Sequence, residues 1–110
     1  MTGKIARFNN RKEVEFGDLK YTLYFESKML TSGIAILPAG GKGDIDKGHE
    51  NAEEVFTINT GNIIVLFPNK KEKYKLGPGD AILIPPGEPH VVQNNGKKDA
   101  IITFTVAPKL

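Results

Sequence analysis

The 110-residue chain contains no cysteine. Disulfides, thiolate metal sites and cysteine nucleophiles are therefore excluded, and any metal or catalytic site must use other side chains. Long apolar stretches are missing as well: no run reaches the length of a membrane-spanning helix, and the first residues lack the apolar core of a signal peptide. We therefore expect a cytoplasmic protein that does not associate with membranes.

Neither sign of charge is in large excess: the chain has 15 basic and 13 acidic residues, and its formal net charge is only +2. Nucleic-acid-binding domains usually gather a larger basic excess on one face, whereas the lysines of this chain are scattered. We therefore expect no nucleic-acid partner. The length predicts one domain, spanning residues 1–110, that is large enough to bury a core.

Amphipathic helices are not evident, and the chain consists instead of short runs rich in Ile, Val, Phe, Thr and Tyr, separated by 12 glycines and seven prolines. Such runs predict an all-β fold of strands joined by tight turns. The predicted strands are Lys20–Glu26, Ser32–Leu37, Glu53–Asn59, Asn62–Phe67, Glu72–Leu76, Ala81–Ile84, His90–Gln93 and Ala100–Val106.

Two of the turns predict β-hairpins, one at Thr60-Gly61 and one at residues 68–71 (PNKK). Together they would make an antiparallel meander, and a further turn at residues 94–99 leads into the last strand. We also expect a short N-terminal strand at residues 4–8. Its apolar edge and that of the last strand would need cover, which predicts a homodimer.

The segment Gly79–Asn94, GDAILIPPGEPHVVQN, combines a buried strand, a rigid turn and a histidine. Its Pro-Pro-Gly turn forces the chain to reverse just before His90. A turn stiffened in this way holds the next side chain in one direction, which suits a ligand or a catalytic group. A structural core histidine is the alternative interpretation of His90.

A second segment, GKGDIDKGHENAEEVFTINTG from Gly41 to Gly61, contains His49, the other histidine of the chain, and Glu54. Each histidine lies beside a glycine-containing turn that leads into a buried strand, so antiparallel pairing would bring the two together. Imidazole nitrogens and a carboxylate oxygen form a good site for a first-row divalent metal.

Both segments resemble the two short sequence motifs of the cupin superfamily. The residues that match the second motif are Gly79, Pro85, Gly87, His90 and Asn94. The residues that match the first motif are Gly41, His49, Glu54 and Gly61, with Lys47 at the place of the family's first histidine. Among these residues, Asn94 is expected to stabilise the turn that follows it.

The resemblance implies an antiparallel jelly-roll β-barrel of the RmlC-like type. Many cupins hold a divalent metal in the barrel mouth with three histidines and one glutamate, which implies His49, Glu54 and His90 as ligands here. A set of two histidines and one carboxylate suits Fe, and it is also adequate for Mn, Ni or Zn. We therefore expect a metal-dependent enzyme of the dioxygenase, isomerase or lyase type that acts on a small molecule, with its catalytic residues unassigned.

Lys47 leaves a metal-free alternative open. It precedes His49 by two residues and would share its face in a regular strand, so that the ammonium would pair with Glu54 where a metal would otherwise lie. Such a protein would be a non-catalytic module that binds or senses a ligand.

The pocket itself is expected to include Lys47 and apolar side chains that follow Glu54. Phe56 and Ile58 lie two and four residues after Glu54 and share its face in an extended strand. These two and Ile63 are predicted to line the pocket, and an ordinary place in the core is the alternative.

Overall fold

A computed structural model describes residues 2–110 of the chain, which form nine strands and one short 3-10 segment. The strands are β1 (Val14–Phe16), β2 (Leu19–Glu26), β3 (Thr31–Leu37), β4 (Glu53–Thr60), β5 (Ile63–Phe67), β6 (Glu72–Leu76), β7 (Ala81–Ile84), β8 (Val91–Gln93) and β9 (Ala100–Ala107). The 3-10 segment is Phe8–Asn10. The all-β prediction is confirmed, and strands β2 to β9 match the predicted strands to within one residue at each end.

The strands form two antiparallel sheets, a six-stranded sheet in the order β1-β2-β3-β9-β4-β7 and a three-stranded sheet in the order β6-β5-β8. Alternate residues of each sheet point inward, and the core contains side chains from both. The predicted closed barrel is confirmed only in part, because in the described residues the hydrogen-bonded strands remain two separate sheets.

The hairpin predicted at Thr60-Gly61 is wrong. Strand β4 pairs with β7 and β9, while β5 pairs with β6 and β8, so the turn carries the chain from one sheet to the other. Gly61 has a φ of +77°, and a Cβ there would lie 2.7 Å from the Cα of Ala100. A tight turn at glycine can connect two strands of one hairpin or two strands of different sheets, so the turn residues do not distinguish the two cases. The predicted meander is therefore wrong at this turn. The hairpin predicted at residues 68–71 is confirmed by the pairing of β5 with β6.

The strand predicted at residues 4–8 is also wrong. Residues 2–7 have no regular secondary structure, and Phe8 begins the 3-10 segment. The guanidinium of Arg11 stacks 3.7 Å from the Phe8 ring centroid and donates to the Phe8 carbonyl, which holds this part of the chain in a compact turn. The homodimer remains a prediction, for which light scattering is the test. No helix within residues 2–110 is long and apolar enough to cross a membrane.

Asn94 is fully buried and fastens the end of β8 to two other segments. Its amide donates to the carbonyls of Leu37 and Lys98, each at 2.9 Å, and its side-chain oxygen accepts from the Gly96 N–H at 2.9 Å. Asn94 thus stabilises the turn that follows it, as expected from the sequence.

We expect Asn94→Ala to lower the free energy of unfolding by about 2–3 kcal/mol, because it removes three hydrogen bonds, of which the one to the Leu37 carbonyl is buried. Urea denaturation followed by circular dichroism measures the loss. Asn95 is exposed and gives a matched control, for which Asn95→Ala should change the stability by about 0.5 kcal/mol or less. Equal effects of the two substitutions would contradict the role assigned to Asn94.

Candidate metal centre

His90 is held at the inner end of the turn between β7 and β8. Its backbone exchanges two hydrogen bonds of 2.8 Å with Asp46, which joins the two sequence motifs in one antiparallel bridge. The ring is 1% exposed, and its Nδ1 lies 2.9 Å from the carbonyl oxygen of Glu88. Since a carbonyl only accepts hydrogen bonds, Nδ1 carries the proton, and the lone pair of the neutral ring is on Nε2.

Glu54 lies near the start of β4, where strand alternation turns its side chain toward the interior. Its Oε1 lies 3.5 Å from His90 Nε2, and both atoms are buried without a hydrogen-bond partner. Buried polar atoms are nearly always paired, so two unpaired atoms that face each other are unusual. The arrangement suits a positively charged species that both atoms would contact.

His49 and Asp46 complete the cluster from the loop before β4. His49 Nε2 is 3.9 Å from Glu54 Oε1, and Asp46 Oδ2 is 3.6 Å from His90 Nε2. Ligand atoms of Asp46, His49 and Glu54 all lie within 4.8 Å of one another, and His90 adjoins this group on its buried side.

The donor set fits a divalent metal. Atoms bound to one ion at about 2.0–2.2 Å lie about 3.0–3.6 Å apart. The separations of His90 Nε2 from Glu54 and Asp46, 3.5 and 3.6 Å, are within this range, whereas the 3.9 Å between His49 and Glu54 is slightly longer. Two imidazoles and two carboxylates suit Fe, Mn, Ni or Zn better than Mg or Ca, which prefer oxygen ligands throughout. The hydrogen bond from His90 to the Glu88 carbonyl is also the kind that orients a metal-binding histidine.

The electrostatics of the cluster act on His90. Burial alone lowers the pKa of this imidazole, but Glu54, the Glu88 carbonyl and the negative charge of Asp46 outweigh burial and raise the pKa above its ordinary value of 6.5. At 3.5 Å the contact with Glu54 is longer than a good hydrogen bond, so the attraction is mainly electrostatic.

The loop that carries His49 packs directly against the turn that precedes His90. The Gly87 N–H donates to the His49 carbonyl at 2.9 Å, and Gly48, with a φ of +84°, lies against Gly87 and Glu88. A Cβ at Gly48 would lie 2.7 Å from the Glu88 nitrogen. Glycine is therefore required at residue 48 both for its backbone conformation and for the close approach of the two loops.

Residues 33–106 match the family model described as a cupin domain. The chain is a member of the cupin family. The resemblance drawn from the two sequence motifs is thus confirmed.

One curated relative is similar to part of this cupin. The uncharacterized protein MJ1618 of Methanocaldococcus jannaschii is 39% identical over 62 residues, which are 56% of this chain and 47% of that protein. The cupin therefore spans about half the length of this curated relative.

Two solved structures share the fold at low identity. A predicted oxalate decarboxylase of Thermotoga maritima is similar with a TM-score of 0.81 and 16% identity, over 96% of this chain and 99% of that chain. The polyketide cyclase RemF of Streptomyces resistomycificus is similar with a TM-score of 0.80 and 18% identity, over 96% of this chain and 80% of that chain. These two likenesses are evidence for the fold alone.

The cupin places the residues of its first motif differently from the sequence expectation. Lys47 is exposed and does not line the pocket, whereas Asp46 turns into it. The left-handed conformation of Gly48 interrupts the strand alternation on which the placement of Lys47 depended. The Asp46 Oδ1 atom accepts from the Gly48 N–H at 2.8 Å, a local turn that Asp followed by glycine two residues later favours. The prediction from sequence missed Asp46, and this Asp-x-Gly pattern is the feature that could have indicated it.

The remaining motif residues form turns between the strands. Gly79 and Gly87 both have positive φ, and the Gly79 N–H donates to the Ile58 carbonyl at 2.8 Å. Gly41 is buried and donates to the Pro38 carbonyl at 2.9 Å. Pro85 begins the turn, and its carbonyl accepts from the Glu88 N–H at 3.4 Å.

A cavity of about 170 Å³ opens beside the cluster, between the inward faces of the strands. Phe56 lines it, and its ring packs edge-on against His90 with centroids 5.8 Å apart. Ile58 and Ile63 do not line it, because they lie farther along β4 and β5 in the closed core, at 1% and 2% exposure. For these two isoleucines the core alternative is the one that the structure supports.

Proposed function

We propose that the protein binds a divalent first-row transition ion, Fe, Mn, Ni or Zn, through His49, Glu54 and His90, with Asp46 as a further carboxylate ligand, and acts on a small molecule. The observation that carries this proposal is the pair of buried, unpartnered atoms, Glu54 Oε1 and His90 Nε2, facing each other at 3.5 Å. An ion bound to both would remove the cost of burying them unpaired.

Each ligand has a distinct task in this proposal. His90 is fixed by its hydrogen bond to Glu88, so its Nε2 lone pair needs no rearrangement to bind. Glu54 supplies a buried negative charge, while Asp46 and His49 are partly exposed and lie on the solvent side of the cluster. A bound ion would supply Lewis-acid or oxygen-activating chemistry beside the apolar cavity.

The reaction is proposed to be of the dioxygenase, isomerase or lyase type. An apolar cavity beside the cluster supports it, because a reacting molecule would be shielded there from water. Two proteins of the same fold have names of enzymes, a predicted oxalate decarboxylase and a polyketide cyclase. The ion pair between Lys47 and Glu54 on which the metal-free alternative depends receives no support, because Lys47 is exposed and is not among the residues that line the cavity with Glu54.

The test is reconstitution of the protein after removal of metal with a chelator. Titration with Fe(II), Mn(II), Ni(II) and Zn(II) should give about one bound ion per chain for at least one of them, measured by mass spectrometry after desalting. A panel of small carbonyl and hydroxyl compounds should then be converted by the metal-loaded protein and not by the metal-free one. Failure to retain any of the four ions would refute the proposal.

Metal binding is expected to weaken as the pH falls. The raised pKa of His90 means that its Nε2 takes up a proton from a pH above 6.5 downward, and the ion must then displace that proton. At pH values well below the pKa of His90, competition from this one proton should raise the apparent Kd about tenfold for each unit by which the pH falls. Titrations at pH 8, 7 and 6 measure the change, and an unchanged Kd across this range would argue against His90 as a ligand.

A further inference from the structure

We propose that the natural ligand of the cavity is a small, uncharged and largely apolar molecule, about the size of one aromatic ring, with a single carbonyl or hydroxyl oxygen that faces the metal cluster. This inference rests on the proposed metal function, since the cluster is taken to hold a divalent ion. It adds the substrate class, for which the size, the lining and the charge of the cavity are three separate arguments.

The size of the cavity limits the enclosed part of the ligand to roughly one ring. An apolar protein cavity of about 150 Å³ admits benzene, and the cavity found here measures about 170 Å³. A disaccharide or a nucleotide is much too large to be enclosed in this space.

The lining of the cavity is apolar except at one end. Its walls consist of aromatic and aliphatic side chains, among them Phe16, Leu19, Tyr21, Phe56, Val92 and Phe104. The hydroxyl groups of a sugar would lose their water against these walls without gaining hydrogen bonds, which is costly for each group. An aromatic or branched apolar body would lose only unfavourable contact with water.

The charge of the site disfavours an anionic ligand. The carboxylates of Asp46 and Glu54 already balance the two positive charges of a divalent ion, and Asp44 adds a further acidic group to the lining. No lysine or arginine is found among the described residues that line the cavity. A carboxylate would therefore be desolvated with no positive charge left to compensate it, whereas a neutral oxygen would not.

Two nearly isosteric probes separate these possibilities. We would measure the binding of 4-fluoroacetophenone and of 4-fluorobenzoate to the metal-loaded protein by fluorine NMR, with oxalate as a competitor that lacks an apolar body. We expect the ketone to bind about tenfold or more tightly than the carboxylate, and we expect oxalate not to displace it. Equal or tighter binding of the carboxylate, or displacement by oxalate, would overturn the proposal.

Substitutions in the wall show whether the probe occupies this cavity. Ala35 on β3 is buried and lines the cavity, so Ala35→Leu should fill part of the space and weaken binding of the ketone about tenfold. Leu23→Phe narrows the cavity from β2 and provides a second variant should the first fail to fold. Leu83 is 55% exposed and lies outside the cavity lining, so Leu83→Ala is the control and should leave the affinity unchanged. Undiminished affinity in both folded wall variants would overturn the proposal.

Metal content, measured on the same samples, distinguishes a failure of the proposed metal binding from a failure of the proposed ligand class. If the metal binds and the ketone does not, the proposed substrate class is wrong while the metal function stands. If the ketone binds the cavity of a protein that retains no ion, the proposed metal function is wrong while the preference of the cavity for neutral apolar ligands stands.

Discussion

Replacing Glu54 with glutamine is expected to abolish tight metal binding while leaving the metal-free protein folded. The carboxylate lies at the centre of the cluster, within 3.5 Å of His90 Nε2 and 3.9 Å of His49 Nε2. Glutamine has nearly the same shape but no charge, and it is a much weaker ligand for a transition metal. Because the Oε1 atom that is altered has no hydrogen-bond partner, the metal-free forms should differ in stability by about 1 kcal/mol or less.

The effect on the metal-loaded protein should be large. An ion present at about 100 times its Kd stabilises a protein by about 2.7 kcal/mol, which corresponds to a rise in Tm of about 10 °C for a chain of this size. Differential scanning fluorimetry with and without the ion should show this rise for the wild type and lose it in Glu54→Gln. His90→Ala should lose it as well.

Lys47→Ala is the matched control, since Lys47 belongs to the same loop but is exposed. This variant should keep the full metal-dependent rise in Tm. Loss of the rise in Lys47→Ala, or its survival in Glu54→Gln, would contradict the assignment of ligands.

Gly48→Ala is expected to destabilise the protein and to separate the loops that form the site. Alanine at a φ of +84° is strained, and its Cβ would lie 2.7 Å from the Glu88 nitrogen and 2.9 Å from the Gly87 carbonyl carbon. Both contacts are with backbone, so a flexible side chain cannot relieve them by moving aside. We expect a loss of about 2–4 kcal/mol in the free energy of unfolding and at least about tenfold weaker metal binding.

Gly40→Ala separates backbone strain from the clash. Gly40 also has a positive φ, +76°, but an added Cβ there would meet nothing within 4 Å. Gly40→Ala should lower the free energy of unfolding by about 1–2 kcal/mol through backbone strain alone and leave metal binding unchanged. Urea denaturation and metal titration of both variants measure the difference, and equal losses would show that the contact with Glu88 is unimportant.

The strand pattern was predictable because burial on one face of a sheet imposes a period of two on the sequence. Strand β4 shows this directly: Glu54, Phe56 and Ile58 alternate with less buried residues and all point inward. The same period places Phe56 and Ile58 on the face of Glu54 from the sequence alone. The two histidines were predicted as candidate ligands because each follows a turn with glycine or proline, which restricts the backbone.

The placement of Lys47 and Asp46 could not be predicted from strand periodicity. Strand periodicity assigns Lys47 to the face of His49, but one left-handed residue, Gly48, breaks the period, so Asp46 enters the site instead. The pocket lining of Ile58 and Ile63 fails for a related reason. Whether a side chain points inward follows from its own strand. Whether it then lines a cavity depends on the side chains that the opposite sheet places against it.

The amino-acid sequence was enough to predict the all-β class, eight of the nine strands and the cupin family, and it indicated His49, Glu54 and His90 as candidate ligands, because these follow from local periodicity and from residues at fixed spacing. The folded structure was needed to show which strands pair, that the turn at Gly61 joins two sheets, and that Asp46 rather than Lys47 completes the cluster. Strand pairing and the meeting of two loops are contacts between distant parts of the chain. Their geometry depends on how the whole core packs, which no local pattern of residues records.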